Sequence, residues 1–241
     1  MMNSVLEIKN LTYVLQKNKQ KILDNISLSI NPGDFIVIIG HNGSGKSTFL
    51  KTINRDIDCY SGDILFNGKS ITSVPNKICS KKIFKITQNL SENLFEELSV
   101  YENFLLYTNR GAGSSGFVDK QECIEVLNSY NISVKLDQKV LNLSGGQKQT
   151  LAIALSLLYP PDILLLDEHT SALDPKIAKK IMQITTDAIS KHKMTCIMVT
   201  HNIDQALEYG SKIYSMQDGV LKYFSDDKKN ISKKEILKNC F

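Results

Sequence analysis

Apolar and polar residues follow two patterns along the chain, alternating with period two at the start and falling into short apolar runs or helical spacing afterwards. Leu6 to Leu15 and Ile22 to Ile30 alternate on either side of the polar turn Gln16 to Gln20, which predicts two antiparallel strands. The turn-forming stretch Asn31-Pro32-Gly33-Asp34 leads into the apolar run Phe35 to Ile39, a glycine-rich loop, and a helical stretch from Lys46 to about Asn54. Gly62 to Phe66 and Ile83 to Thr87 predict further strands. Helical spacing at Val100 to Asn109 and Lys120 to Tyr130 flanks a flexible segment, Gly111 to Gly116. A long helix is expected from Ser144 to about Leu158, stopped by Pro160-Pro161 and followed by a buried strand at Ile163 to Leu166. The remainder alternates: helix Pro175 to Ser190, strand Thr195 to Val199, helix Ile203 to Tyr209, then strands near Lys212 to Met216 and Val220 to Phe224. No internal repeat interrupts this order. It describes an α/β core carrying a helix-rich insertion.

Composition removes several classes of function. A chain of 241 residues, 42% of them hydrophobic, can fill a core and is not disordered. Its 29 Lys and Arg oppose 25 Asp and Glu, a scattered excess that makes no electrostatic case for nucleic acid. The basic excess gathers at the end, in Lys228, Lys229, Lys233, Lys234 and Lys238, which can meet anionic lipid or, as is usual for such runs, keep the last helix solvated. The five cysteines are widely spaced without a C-x-x-C pair, so reduced thiols are expected. Met1 to Asn10 lacks the pattern of a signal peptide. The longest apolar runs have strand length, well short of the ~20 residues a bilayer span needs. A role at a membrane would therefore require spans carried on other chains.

The chemistry starts at Gly40-His41-Asn42-Gly43-Ser44-Gly45-Lys46-Ser47, which fits G-x-x-x-x-G-K-[ST] between a predicted strand and a predicted helix. Glycines let successive N–H groups turn inward to phosphate oxygens at the positive end of the helix. Lys46 is expected on the β- and γ-phosphates, Ser47 on Mg²⁺, and Thr48 or backbone amides nearby on the α-phosphate. A second, acidic strand should supply the metal's carboxylate, and Ile163-Leu164-Leu165-Leu166-Asp167-Glu168 answers that need. Asp167 is the candidate Mg²⁺ partner and Glu168 the candidate base for the attacking water.

These two motifs leave kinases, GTPases and motors open. Leu143-Ser144-Gly145-Gly146-Gln147 narrows the choice, because it resembles the signature of ABC ATPases. Physically it is a capped helix N-terminus with bare backbone, suited to an anion. The resemblance implies a P-loop ABC cassette in a single domain of residues 1–241. It has a mixed-sheet ATP-binding core with an antiparallel β subdomain (1–88 and 160–225), a helical subdomain (about 89–159) and a C-terminal helix (226–241). It also implies that Ser144, Gly145, Gly146 and Gln147 meet ATP held by a partner copy, making a head-to-tail homodimer.

Further positions resemble the family in order. Tyr13 looks like the aromatic that stacks on adenine, and Gln88 like the glutamine that touches Mg²⁺ and the attacking water. Ser171-Ala172-Leu173-Asp174 resembles the loop that crosses the dimer interface, with Asp174 included in the ATP site. His201 resembles the switch histidine at the γ-phosphate. The chain departs from the family at His169, where proline usually follows the glutamate, and at Thr150, where arginine is frequent. His169 reads as a tolerated loop substitution, similar to a subgroup of amino-acid importers. His192 reads as part of a polar connection. The implied activity is Mg²⁺-dependent ATP hydrolysis driving import, with an amino acid as the suggested cargo. The implied partners are permease subunits docked on the helical insertion and an extracytoplasmic substrate-binding protein. The implied location is the cytoplasmic face of a bacterial inner membrane, peripherally bound, with no nucleic-acid partner. The alternative is a soluble ABC ATPase acting on ribosomes or DNA, whose tandem cassettes or long coiled-coil insertions this chain lacks.

Overall fold

The structure is a computed structural model that describes residues 4–59, 61–111, 118–225, 233 and 236. Two sheets organise it. Strands β1 (Leu6–Leu15), β2 (Gln20–Ile30), β4 (Ser61–Phe66) and β5 (Lys69–Ser70) form an antiparallel sheet in the order β2-β1-β4-β5. The second sheet runs β10-β9-β3-β8-β7-β6. It is built from β3 (Phe35–Ile39), β6 (Ile83–Ile86), β7 (Ile163–Asp167), β8 (Thr195–Thr200), β9 (Lys212–Gln217) and β10 (Val220–Ser225). All its pairings are parallel except β9 with β10, so the sheet is mixed.

The central strands β3, β7 and β8 are buried at every position because both faces are covered, and they are apolar except at Asp167, Thr195 and Thr200 on their ends. Val37, Ile39, Leu164, Leu166, Cys196 and Met198 enter one core layer, while Ile36, Ile38, Ile163, Leu165, Ile197 and Val199 enter the other. The second layer packs against the antiparallel sheet and α1 (Lys46–Ile53). The first packs against α3 (Val100–Gly111), α4 (Lys120–Ser129), α5 (Gly145–Leu158) and α6 (Pro175–His192). One buried asparagine, Asn93, fastens the helical section to the sheet, and a second, Asn103, braces that section internally. Asn93 Oδ1 accepts from the Thr87 N–H at 2.9 Å, and its Nδ2 donates to the Lys85 carbonyl at 2.8 Å. Asn103 clasps both the N–H and the carbonyl of Phe95.

The predicted elements recur with shifts of a residue or two at their ends. The sequence pattern missed β5 and the single-turn α2 (Asn76–Cys79), which are too short to show a period. Gly111, expected in a flexible stretch, closes α3; the rest of that stretch lies outside the described residues. His192 is not in a polar connection. It belongs to the last turn of α6, where its Nε2 lies 2.8 Å from the Tyr130 hydroxyl. Of the expected terminal helix only Lys233 and Ile236 are described, both helical. Lys233 donates to both oxygens of Asp204 at 2.7 Å, and Ile236 is fully buried.

Candidate functional site

The parallel strands β3, β7 and β8 end side by side, and the loops leaving them converge on one cleft of about 630 Å³. The loop after β3 turns into α1 through Gly45, whose φ of 105° lies in the left-handed region. No side chain caps α1, and its first turn holds no acid, so the N–H groups at its start are left for an anion. Lys46 is buried, and its ammonium donates to the carbonyls of Gly40 at 2.8 Å and His41 at 2.9 Å. Burial lowers its pKa, an effect the nearby Glu168 and Asp167 oppose. The Ser44 hydroxyl inside the loop is buried and has no partner among the described residues. Asn42, Gly43 and Thr48 line the cleft beside Lys46 and Ser47.

Asp167 ends β7 directly beside α1, and its Oδ1 accepts from the Ser47 hydroxyl at 2.9 Å. Burial raises the Asp167 pKa, the Ser47 bond opposing it. Glu168 follows with φ 47°, a left-handed conformation uncommon for a residue with a side chain. Its Oε2 lies 3.1 Å from His201 Nδ1, just beyond β8. Its carbonyl accepts from the Ser171 hydroxyl at 2.9 Å, and that hydroxyl in turn accepts from Gln88 Nε2 at 3.1 Å. Gln88, Glu168, Ser171 and His201 thus share one wall of the cleft that holds Lys46 and Ser47. The arrangement offers an anion cradle, a hydroxyl–carboxylate pair for a hard cation, and a second carboxylate beside an imidazole for a water.

The sequence-predicted residues do not all meet here. Tyr13 is absent from the cleft's lining; it is half-buried in β1 and paired with Leu23, while Ile22 reaches the cleft. Ser144 caps α5, accepting from the Gln147 N–H at 3.3 Å, and Gln147 Oε1 accepts from the Ser144 N–H at 2.9 Å. This turn is also outside the cleft's lining. Asp174 caps α6 by accepting from the Lys176 N–H at 2.9 Å.

A family model described as ABC transporter matches residues 23–171. The chain belongs to the ABC transporter ATP-binding family. A tyrosine transport ATP-binding protein of Clostridioides difficile is 34% identical over 248 residues, 97% of each chain. The phosphonates import ATP-binding protein PhnC of Lactobacillus delbrueckii subsp. bulgaricus is 35% identical over 255 residues, 98% of this chain and 94% of that one. Among solved structures, the dimeric post-hydrolysis state of the ATP-binding cassette MJ0796 with ADP and Pi superposes with TM-score 0.79 at 29% identity. It covers 91% of this chain and 99% of that one. The two sheets and the helical section are accordingly those of a P-loop ABC cassette.

Within this ABC subunit, sequence reasoning missed two features of the site. In the sequence Ser171 stands only as part of an interface loop, yet it fixes the Glu168 carbonyl; its partners lie 3 and 83 positions away, and no local pattern signals the pair. His169 does lie in the loop after β7, but as a buried residue. It is 3% exposed, its Nε2 has no partner among the described residues, and burial holds its pKa down at about 4, so the imidazole is neutral. Thr150, in place of arginine, bonds back to the carbonyls of Gly146 at 3.1 Å and Gln147 at 2.9 Å.

Proposed function

We propose that this ABC subunit hydrolyses Mg²⁺-ATP as a head-to-tail homodimer and drives import through a separate permease. The observation that carries the reading is one cleft holding both a free α1 N-terminus with Lys46 and the Glu168–His201 pair at 3.1 Å. The residues fit the nucleotide. The uncapped helix start and the Ser44 hydroxyl, without a partner among the described residues, suit phosphate oxygens. Gly40 suits a close-packed cradle, since a Cβ there would lie 2.2 Å from the Met216 carbonyl. Ser47 and Asp167 would hold Mg²⁺ with Gln88 nearby, and the bound ion would neutralise charge on the β- and γ-phosphates. Lys46 and the amides of residues 40–48 bind the triphosphate. Glu168 orients and deprotonates the attacking water, while His201 fixes the Glu168 carboxylate and reaches the γ-phosphate. Tyr13 stacks on adenine from β1.

Ser144, Gly145, Gly146 and Gln147 lie outside the cleft, which supports their serving ATP held by a second copy, with Asp174 and its loop at the same interface. A permease segment docks on the helical insertion, whose Glu92 and Asn93 border a groove of about 620 Å³ shared with Asp56 and Lys85 of the core. Its bordering segments expose Ile78 and Phe95, by 60% and 50%. Among the described residues no helix is long and apolar enough to cross a membrane, in keeping with a peripheral subunit on a membrane's cytoplasmic face. An amino acid is the proposed cargo, supported by the tyrosine transport relative, and an extracytoplasmic binding protein would deliver it.

Replacing Glu168 with Gln should abolish steady-state ATPase activity and trap an ATP-bound dimer on gel filtration. A variant that stays monomeric with Mg²⁺-ATP, or keeps turning over, would refute the assignment.

A further inference from the structure

The first turn of α5 is held against α6 by an unusually close approach. A Cβ at Gly146 would sit 2.9 Å from Cγ2 of Ile177, and one at Gly145 would sit 3.7 Å from Cδ2 of Leu173. The bare backbone of Gly146 therefore has a role inside the chain, since it admits the Ile177 methyl. Both apolar residues belong to the segment that leaves Glu168. The Ser171 N–H and hydroxyl donate to the Glu168 carbonyl at 3.0 and 2.9 Å, and the Leu173 N–H donates to the Thr170 carbonyl at 3.3 Å. Asp174 then caps α6, with Ile177 in its first turn. Ile177 keeps 44% of its surface exposed although it is a large aliphatic residue, so core burial does not account for it.

We propose that Ile177 is a positioning residue for the turn 144–147. Its Cγ2 methyl, seated on Gly146, holds that turn in register with the loop anchored on Glu168. This rests on the reading that the turn receives the triphosphate bound by a second copy. One chain then carries a catalytic glutamate for its own nucleotide and a phosphate-binding turn for its partner's, and Ile177 is the contact through which the two keep a fixed spacing.

The γ-methyl is the group that decides the test. Ile177→Val keeps it and Ile177→Ala removes it. Valine should leave the ATP KM within about twofold, whereas alanine should raise it roughly five- to tenfold, the scale of losing one close-packed branched contact. kcat at saturating ATP should change little in either. Affinity of the Ile177 variants for a fluorescent ATP analogue, titrated with Glu168 intact at protein concentrations low enough to keep the chain monomeric, should also hold, because the phosphate loop is untouched; this measurement doubles as a check of folding. ATP-driven dimerisation in the Glu168→Gln background should weaken with alanine and not with valine. Equal behaviour of the two variants would overturn the proposal, as would a loss of monomer affinity with alanine. Gly146→Asp separates the two levels of argument. If that variant still forms the ATP dimer, the reading of the turn itself falls. If it blocks the dimer while Ile177→Ala does not weaken it, only the role of Ile177 falls.

Discussion

Gly45→Ala tests how tightly the phosphate loop is built. Gly45 has φ 105°, and a Cβ there would lie 2.8 Å from the Ile22 carbonyl oxygen, 3.2 Å from Leu23 Cδ2 and 3.4 Å from Met216 Sδ. The carbonyl belongs to the backbone of β2 and cannot swing aside as a flexible side chain would. A side chain in the left-handed region costs about 1–2 kcal/mol, and forcing a methyl into a packed site adds about 1–3 kcal/mol. The expected loss is thus about 2–5 kcal/mol, a large part of the roughly 5–15 kcal/mol that holds a typical domain together. Gly43→Ala is the matched control, with φ 83° and no atom within 4 Å of its built Cβ, so only the conformational part of about 1–2 kcal/mol applies. Urea unfolding followed by circular dichroism measures both, and titration with a fluorescent ATP analogue asks whether the loop still binds. Gly45→Ala should be less stable than Gly43→Ala by about 1–3 kcal/mol, the overpacking part alone. Equal losses in the two variants would mean that β2 does not press on the loop, and the argument from close approach would fail.

Lys46→Ala should lower ATP affinity by roughly tenfold or more, the scale of a lost charge-assisted hydrogen bond, read by the same titration; unchanged affinity would mean the loop is misassigned. His169 gives a pH prediction for the nucleotide-free chain in chelator. Its folded pKa of about 4 lies below the ordinary histidine value of 6.5, so the unfolded chain binds the proton more readily. Stability is then full above pH 6.5 and falls as pH drops toward 4, by about 2 kcal/mol at pH 5. Burial and Lys191 also lower the His192 pKa, which adds a loss common to both proteins, so the comparison is made with His169→Gln. Wild type should lose about 2 kcal/mol more than that variant between pH 7.5 and pH 5, and parallel losses in denaturant melts would refute a buried neutral imidazole.

What the sequence revealed about fold and site follows from how local each signal is. The phosphate loop was legible because eight consecutive residues, Gly40 to Ser47, carry the whole motif between a strand and a helix. Strand β7 with Asp167 and Glu168 was legible because a buried parallel strand is a continuous apolar run and the acids mark its end. Element order survived for the same reason, apart from β5 and α2, which are too brief to carry a period. Strand order was not legible: β3 lies between β8 and β9, strands more than 150 positions further along the chain, and no local pattern encodes that neighbour choice. The Gln88–Ser171 bond and the burial of His169 were hidden likewise, because each is decided by where distant segments pack.

The glycines of the signature turn carry this distinction furthest. Read along the chain, Gly145 and Gly146 bare a backbone for an anion. In the fold, the same missing side chain at Gly146 also admits Ile177, 31 positions away. A Cβ at Gly146 would press on Ile177 whatever it did to a ligand, so loss of function in a glycine variant cannot by itself separate ligand contact from internal packing. Variation at Ile177 can, because it alters the packing and leaves the glycine's backbone bare. The physical content of the turn therefore lies in a pair of residues, and the second of them carries no motif.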